Sequence, residues 1–567
     1  MSKHIEKFFI LTGLEGLVLL LYLFIIPRDV STLSFLGYSS SRWILILWFF
    51  QGSLAFFWLV LLTRRRIPSI SMAGKLLDIW LQNQLSFAAF SFLCLLGFIA
   101  SIYFGFLSFY LTDQQIKGIF QRILPLDIWI GLICIQTFWL LIIIYWKWHW
   151  NILSNSWRQN VRSIWRIMER HKADIICALI LFFLVVYLFY PIIFTIGNTI
   201  NSDFYGHARE AQRIEADKKN DTSYFLYQML MIAAHQLFPT NSYDILGVIV
   251  VLFFIILSSF TLYGLILWTL RDTFKVNSGF LSAFSVVLSL SLMVITPITL
   301  FTLPNKNLYY GYTGITTYHN PTIFILQPLA LLLFLFTINL LKSPQQGQQH
   351  LSYYLTIISI VILGTLAKPN YIICLLPAVF VFTAFKIARK DHFDWKGILF
   401  GIVLPSIGLL AWQYLATYTS DHVLKDESGI SLMPFQIYLL KDTFQSIGLK
   451  FILSILFPLS VYLIYYRKAK KDISFNFAWL SFIIGAFYSY CLVEQGSRFK
   501  HNNFAWSGQT TLFILFVAAT IFLTKQIGDR RVVRKYDYAL IAIFGLHVIS
   551  GVIWYWLHLL NPLNAWW

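Results

Sequence analysis

The sequence predicts an all-α, polytopic integral membrane protein with about 14–15 transmembrane helices. Of its 567 residues, 58% are hydrophobic and 12% are charged, and the mean hydropathy is +0.69. These values exclude a set of water-soluble domains, which carry about 25% charged residues. The net charge is +18. We interpret this excess as a signal of membrane orientation and not of nucleic-acid binding, because it lies in short segments between apolar runs.

Apolar runs of helical length recur along the chain and predict the individual helices. The first run lacks a small-residue cleavage site, so we expect a retained helix and not a cleaved signal peptide. Lys368-Pro369-Asn370 divides two short runs, which form either a hairpin or one broken element. The fifteen runs lie near residues 6–26, 43–63, 84–111, 125–146, 174–196, 246–270, 279–303, 321–341, 352–367, 371–387, 397–417, 450–466, 475–493, 509–524 and 537–558.

The distribution of basic residues predicts which loops face the cytoplasm, because short cytoplasmic loops carry the excess of lysine and arginine. With the N-terminus inside, 28 of the 43 basic residues lie in cytoplasmic segments. This arrangement favours fifteen crossings. The long outer loops then cover 197–245, 304–320, 418–449 and 494–508, and we expect amphipathic helices in the first of them.

The ionisable residues divide the chain into an accessory part and a working part. The four runs before residue 150 contain almost no ionisable residues, which predicts an accessory four-helix transmembrane bundle at 1–150. A basic amphipathic connector at 151–172 follows in the cytoplasm, and 173–567 forms the working transmembrane module. The five cysteines show no CxxC spacing, so the sequence predicts neither a disulfide framework nor a zinc site.

The stretch from Asn201 to Arg213 carries the chemistry of the first outer loop. In a helix that begins at Asp203, the side chains of Asp203, His207 and Glu210 share one face. A carboxylate beside the bilayer with a histidine one turn away is suited to general-base catalysis. Two structural interpretations compete: Asp203 as a helix N-cap, and the whole stretch as an amphipathic surface helix.

The sequence defines no metal site. His207 and Glu210 could orient an acceptor or hold a divalent ion, but three residues on one helix do not make a ligand set. We therefore assign no metal ligands and require no cofactor, while Mg²⁺ or Mn²⁺ stays open as an alternative.

Polar residues elsewhere fall in the same predicted outer layer. His319-Asn320-Pro321 opens a span, where Asn320 can cap the helix and proline can occupy its first position. Lys368, Arg498 and His501 suit binding of a phosphate, although long basic side chains at this level also serve as interfacial anchors. The remaining members of this layer are Asn370 and Glu494. The chain has neither a P-loop nor a dinucleotide fingerprint, which argues against nucleotide chemistry.

The layout resembles the GT-C superfamily of membrane glycosyltransferases, which use polyprenyl-phosphate sugars as donors. Asp203, Phe204, Tyr205 and His207 give the Asp-aromatic-aromatic-x-His pattern after an apolar helix, and Lys368-Pro369 heads a short helix. The resemblance covers about 173–420. It implies a GT-C-like helical bundle, inverting transfer with Asp203 as base, and a basic group near the lipid phosphate. The chain departs from the family in having four spans before its acidic loop and no adjacent acidic pair.

From the residues and the resemblance together we expect a glycosyltransferase of the bacterial plasma membrane with its active site on the extracytoplasmic side. It would move a sugar from a polyprenyl-phosphate-linked donor to a hydroxyl of a lipid-linked or cell-envelope glycan. Arg498 and Lys368 would hold the departing phosphate. The other predicted substrate contacts are Tyr205, His207, Glu210, His319, Asn320, Asn370, Glu494 and His501.

Two alternatives belong to other classes. An O-antigen-type polymerase or ligase would depend on arginine and histidine in one dominant loop, and Asp203 would be dispensable. A lipid-linked glycan transporter or flippase would place ionisable residues at the bilayer midplane and show paired repeats. Under all three hypotheses the partners are membrane lipids and glycans, with no nucleic acid.

Overall fold

The computed structural model describes residues 171–197, 199–200, 202–217, 223–237, 242–274, 278–300, 311–342, 350–418, 429–530 and 533–560. These residues belong to one compact unit that spans Arg166–Trp567. The predicted accessory bundle at 1–150 lies outside the described residues, as does most of the connector at 151–172. Both therefore stay predictions.

The described part of the chain is built almost entirely from helices. In chain order its elements are α1 (Lys172–Gly197), α2 (Asp203–Asp217), α3 (Leu226–Leu237), α4 (Tyr243–Thr273), α5 (Ser278–Val294), α6 (Pro321–Lys342), α7 (Leu351–Ala367), α8 (Asn370–Ala388), a π-helix (Gly397–Val403), α9 (Leu404–Tyr418), β1 (Ile430–Leu432), α10 (Gln436–Leu439), α11 (Phe444–Ile464), α12 (Tyr466–Ala469), α13 (Ile473–Cys491), β2 (Leu492–Glu494), a 3-10 helix (Gly496–His501), α14 (Ala505–Arg530) and α15 (Lys535–Leu560).

The helices confirm an all-α polytopic membrane protein. Each predicted apolar run from 174–196 onward overlaps a helix, and nine helices in the described residues are long and apolar enough to cross a membrane. Two further apolar helices, Gly279–Val294 and Leu351–Ala367, are shorter. The total of 14–15 spans stays a prediction, because the first four runs lie outside the described residues.

The run at 279–303 is not a single helix, which corrects the sequence prediction. Its helix, α5, ends at Val294, and residues 295–300 are irregular. Proline at position 297 provides the physical reason, because it lacks an N–H and clashes with the preceding helical turn.

Side chains of α15 form hydrogen bonds with backbone groups of the irregular segment after α5. Ser550 donates to the carbonyl of Pro297 at 2.7 Å, and Nδ1 of His547 lies 2.8 Å from the carbonyl oxygen of Thr296. Irregular backbone at membrane depth is tolerated where protein groups replace the missing helical hydrogen bonds. The side chains of α15 perform that task here.

The break between α7 and α8 resolves the ambiguity at Lys368. The two runs form separate helices, and Lys368 is the C-cap of the first, with an extended backbone at φ −170° and ψ 129°. Pro369 accounts for this geometry, because a residue before proline is pushed out of the helical region. Lys368 therefore lies between the end of α7 and the beginning of α8.

Two short strands join the loops that follow α9 and α13, a feature that the all-α prediction did not contain. Strand β1 pairs antiparallel with β2, with Ile430 opposite Glu494. Strands of three residues leave too short a pattern for alternation to be visible in the sequence.

The loop before α6 is fixed by buried contacts. Gly311 has φ +90° and lies against the Lys450 side chain, so that an added Cβ would sit 2.9 Å from its Cδ. Lys450 and Asp442 form an ion pair with both side chains fully buried. The hydroxyl of Tyr490 donates to the Gly311 carbonyl at 2.7 Å. These contacts determine where residues 312–320 enter α6.

Helices α6 and α14 are the most enclosed of the nine candidate spans in the described residues. They begin at Pro321 and Ala505, and polar residues directly precede or open each of them. The two most enclosed helices therefore have polar residues where they begin.

Gly551 of α15 tests the packing of the irregular segment. A Cβ at this position would overlap the backbone carbonyl of Val294, whereas a Cβ at Gly545 of the same helix would meet nothing within 4 Å. We expect Gly551→Ala to reduce stability by about 1–3 kcal/mol through overpacking. Gly545→Ala should be neutral or stabilising by up to about 1 kcal/mol, because alanine favours the helix. Thermal unfolding in detergent measures both, and equal effects would contradict this packing.

Candidate functional site

Polar side chains from distant parts of the chain meet at the end of the bundle where α6 and α14 begin. Helix α2 contributes Asp203 and His207, the head of α6 contributes Asn320, and the break between α7 and α8 contributes Lys368. The segment from β2 to the first turn of α14 contributes Glu494 and its neighbours. The contacts below join these elements into one cluster, which we call the Asp203 cluster.

Asp203 opens α2, but it is not the residue that caps this helix. The Ser202 hydroxyl accepts a hydrogen bond from the Tyr205 backbone N–H at 3.2 Å, which is the N-cap interaction. The helix that the sequence predicts from Asp203 is confirmed, and the alternative role of Asp203 as N-cap is wrong. Its carboxylate is instead directed outside the helix, where Oδ2 accepts from the Asn320 amide at 3.3 Å.

Asn320 connects the acid to the lysine. Its Oδ1 accepts hydrogen bonds from the Ile323 backbone N–H at 3.3 Å, from the Thr322 hydroxyl at 2.7 Å and from Lys368 Nζ at 3.3 Å. Three donors around Oδ1 fix the orientation of the amide, because a flipped amide would place its own N–H groups against them. The Nδ2 group is therefore committed to Asp203, and the predicted capping of α6 by Asn320 is confirmed.

Lys368 is buried, with only 4% of its surface exposed. Its Nζ also donates to Thr322 at 3.2 Å and lies 4.8 Å from the ring centroid of Trp506 and 5.9 Å from that of Tyr224. Burial lowers the pKa of Lys368 to about 8, while the negative charges of Asp203 and Glu494 act in the opposite direction. Hydrogen bonds and aromatic rings together replace the water that the ammonium has lost.

Asp203 remains accessible although protein atoms surround it. The Asp203 residue is exposed, yet desolvation by neighbouring protein atoms raises its pKa against the opposing charges of Lys368 and His501. The carboxylate is therefore reachable by solvent and partly desolvated by neighbouring protein atoms. A carboxylate in such a place is a stronger base than one in bulk water.

His207 is held in its neutral form. Its Nδ1 lies 2.9 Å from Nε2 of Gln228 on α3, and its ring meets the edge of Tyr227 with centroids 5.5 Å apart. Burial, with a smaller contribution from Lys368, lowers the pKa of His207 to about 4. His319 is also neutral, because burial and then His558 and Lys368 hold its pKa well below the usual value. The His319 ring packs against Trp506 at 5.4 Å.

Asn370 and Glu494 are connected to each other through hydrogen bonds to Asn503. Asn370 donates to the Asn503 carbonyl at 2.9 Å and to the Ser507 hydroxyl at 3.0 Å. The Asn503 amide in turn donates to Glu494 at 2.5 Å. These bonds tie the head of α8 to the segment that leads into α14.

Arg498 and His501 lie at the rim of the cluster. Arg498 is 3.8 Å from Glu494, and its side chain is 35% exposed. His501 is exposed on the same 3-10 turn. The rim therefore presents a cation to solvent, whereas Lys368 lies inside.

Tyr205 and Glu210 make their principal contacts with arginines of their own helix. The Arg209 guanidinium stacks over Tyr205 at 4.7 Å, and Arg213 pairs with Glu210 at 2.9 Å. The structure thus brings nine of the predicted site residues to the Asp203 cluster or its rim and gives these two a role on the flank of α2.

Four members of the cluster were not predicted from the sequence. Thr322, Gln228, Tyr224 and Trp506 contact Lys368 or His207. Thr322 and Trp506 lie in the same sequence segments as predicted site residues, and this proximity is the signal that could have identified them. Gln228 lies in the otherwise apolar start of α3, and Tyr224 lies just before this helix; neither residue belongs to a recognisable motif.

No three His, Cys, Asp or Glu side chains converge as a metal-binding group within the described ranges. In the cluster, Asp203 accepts a hydrogen bond from the Asn320 amide, and Lys368 acts on it through charge alone. The choice between Mg²⁺, Mn²⁺ and no metal stays open on these observations.

Comparisons with protein-family models, with curated proteins and with solved structures give no match. The function is therefore argued from the chemistry of the Asp203 cluster.

Lys368 provides a test of this electrostatic arrangement through the pH dependence of stability. Its pKa is about 8 in the folded protein and 10.5 when unperturbed, so the unfolded state binds the proton more tightly. This group therefore raises stability by about 3 kcal/mol in total as pH increases from 8 to 10.5, and it causes no further change below pH 8.

We expect Lys368→Met to remove this increment. Thermal unfolding of the native protein and the variant across pH 8 to 10.5 measures it. Lys471→Met, a change of an exposed lysine, is the control and should follow the native curve. A Lys368→Met curve parallel to the native one would contradict the buried charge.

Proposed function

We propose that this protein is a membrane glycosyltransferase that uses a polyprenyl-phosphate-linked sugar as donor and a hydroxyl of a lipid-linked or cell-envelope glycan as acceptor. The observation that carries the proposal is the Asp203 carboxylate, which is accessible, desolvated and oriented by the Asn320 amide at 3.3 Å. The adjacent cations suit a phosphate leaving group. The GT-C resemblance of the motifs supports the same class.

In the proposed reaction Asp203 acts as general base. The acceptor hydroxyl transfers its proton to the carboxylate while its oxygen forms a bond to the anomeric carbon of the sugar. The bond from that carbon to the phosphate oxygen breaks, and its electron pair stays on the phosphate. Attack from the face opposite the leaving group inverts the anomeric centre. A positioned base of this kind contributes about 10²–10⁴-fold to a rate.

The surroundings of Asp203 suit a base that must be ionised yet reactive. Desolvation raises its pKa, which strengthens it as a proton acceptor. Lys368 provides a compensating positive field without a direct ion pair, because its hydrogen bonds run to Asn320 and Thr322. The carboxylate thus lies in a positive field, with the Asn320 amide as its hydrogen-bond donor.

Arg498 is the best placed group for the departing phosphate. It is partly exposed at the rim, and its planar guanidinium can bind two phosphate oxygens at once. His501 on the same turn would add a donor, and Lys368 would contribute charge from inside. The sequence analysis predicted that Arg498 and Lys368 both hold the phosphate; we now propose that Arg498 contacts it directly and Lys368 acts through its charge.

The position of the cluster suits a lipid-linked donor. It lies where the apolar helices α6, α8 and α14 begin, so a phosphate at the membrane boundary would meet the rim while its lipid chain stayed among apolar side chains. The distribution of lysine and arginine supports an extracytoplasmic location of this end in a bacterial plasma membrane.

Asp203→Asn tests the proposed base. Mass spectrometry of glycans from cells with and without the protein first identifies donor and acceptor, and transfer is then measured with purified protein in nanodiscs. We expect transfer to fall by about 10²–10⁴-fold with unchanged unfolding temperature, because an amide cannot accept the proton.

Asp217→Asn is the matched control for this experiment. It makes the same chemical change in an exposed residue at the other end of α2 and should keep native transfer. Full activity of Asp203→Asn would reject Asp203 as base and favour the polymerase or ligase hypothesis. Movement of substrate with no covalent product in the native protein would favour a transporter.

Arg498→Gln tests the proposed phosphate contact. Loss of a charge-assisted hydrogen bond should raise the KM for the lipid-linked donor by about 10–100-fold with little change in the KM for the acceptor. Arg467→Gln, which removes an exposed arginine of α12, is the control. An equal rise in both KM values would contradict a role confined to the donor.

A further inference from the structure

Gln228 is a fully buried polar residue that contacts a site residue. It lies on α3, shows 0% exposed surface and places its Nε2 2.9 Å from His207 Nδ1. A glutamine side chain without access to water is costly unless it is hydrogen-bonded. Here its amide is directed at one atom of one histidine.

The direction of this hydrogen bond determines the tautomer of His207. In this orientation of the Gln228 amide, its nitrogen donates, so His207 Nδ1 is the acceptor and carries no proton. The neutral ring then carries its single proton on Nε2. The low pKa of about 4 for His207 agrees with a ring that is neutral at physiological pH.

The charges around His207 favour the same state. Lys368 is the cation that acts on the ring and disfavours a second positive charge. Tyr227 of α3 touches its face, and Asp203 lies one turn earlier on α2. Asp244 of α4 pairs with Arg209 at 3.3 Å.

We propose that Gln228 is a positioning residue that holds His207 as the Nε2–H tautomer, so that this N–H donates to a hydroxyl oxygen of the substrate bound beside Asp203. His207 and Asp203 share one face of α2, since they are four residues apart. A neutral donor next to the base can orient a hydroxyl without neutralising the carboxylate. This role rests on the proposed function, but the tautomer does not.

The tautomer is measured directly by ¹⁵N NMR of histidine-labelled protein in nanodiscs. The chain has 12 histidines, so the His207 signal is assigned by its loss in His207→Gln. We expect an unprotonated Nδ1 and a protonated Nε2 at neutral pH. A proton on Nδ1 in the native protein would overturn the proposal, whether or not the protein transfers sugars.

Gln228→Glu reverses the hydrogen bond with almost no change in size. A carboxylate accepts from Nδ1–H and favours the charged ring, so we expect the proton to move to Nδ1 and the pKa of His207 to rise. Gln228→Ala removes the partner and should give a mixture of tautomers. Gln236→Glu makes the same change at an exposed position of α3 and should leave the His207 signals native.

Enzyme kinetics separate positioning from folding. With a transfer assay in hand, we expect Gln228→Glu to lower kcat/KM for the acceptor by about tenfold and to shift its pH profile, while the KM for the donor stays native. Native acceptor kinetics in a variant with an altered tautomer would reject the role of His207 as donor. Absence of transfer in all proteins, with the expected tautomer in the native one, would instead reject the proposed function.

Discussion

The hydrogen-bonded bridge from Lys368 through Asn320 to Asp203 is the constraint on which the site depends. One amide caps α6, accepts from a buried ammonium and donates to an exposed carboxylate. Each partner limits the others, because the amide cannot flip without losing three donors. The bridge therefore couples the fold of the central helix to the orientation and charge of the acid. In the proposed reaction it fixes the orientation of the base without a direct ion pair to Lys368.

An amide between the lysine and the acid has a different effect from a direct ion pair. Direct contact would stabilise the carboxylate strongly and make it a poor proton acceptor. With Asn320 between them, Lys368 acts through space, and desolvation still raises the pKa of Asp203. The outcome is an accessible acid whose environment favours proton uptake, which is the property that the proposed function requires of it.

The sequence predicted the parts of the site that follow from local rules. An amphipathic helix was expected in the first outer loop. Asn320-Pro321 and Lys368-Pro369 marked the beginning of one helix and the break between two others, because capping and proline sterics act over a few residues. The rest depends on tertiary contacts. Ser202 and Asp203 are both good caps, and only the position of Asn320 decides between them. Gln228 contacts the site only because α3 packs beside α2, and no local sequence rule predicts that packing.

Solvation divides the polar groups of the site into two kinds. His207 and His319 are half-buried near Lys368, and desolvation lowers their pKa values, so they are neutral donors or acceptors at physiological pH. Arg498 and His501 remain at the rim in contact with water. A sugar hydroxyl is neutral and can be bound by neutral hydrogen-bonding groups. A phosphate is charged and needs positively charged groups around it. The neutral interior would suit the sugar and acceptor, and the cationic rim would suit the lipid-linked phosphate. In this proposed arrangement the reacting carbon would lie between the two groups, within reach of Asp203.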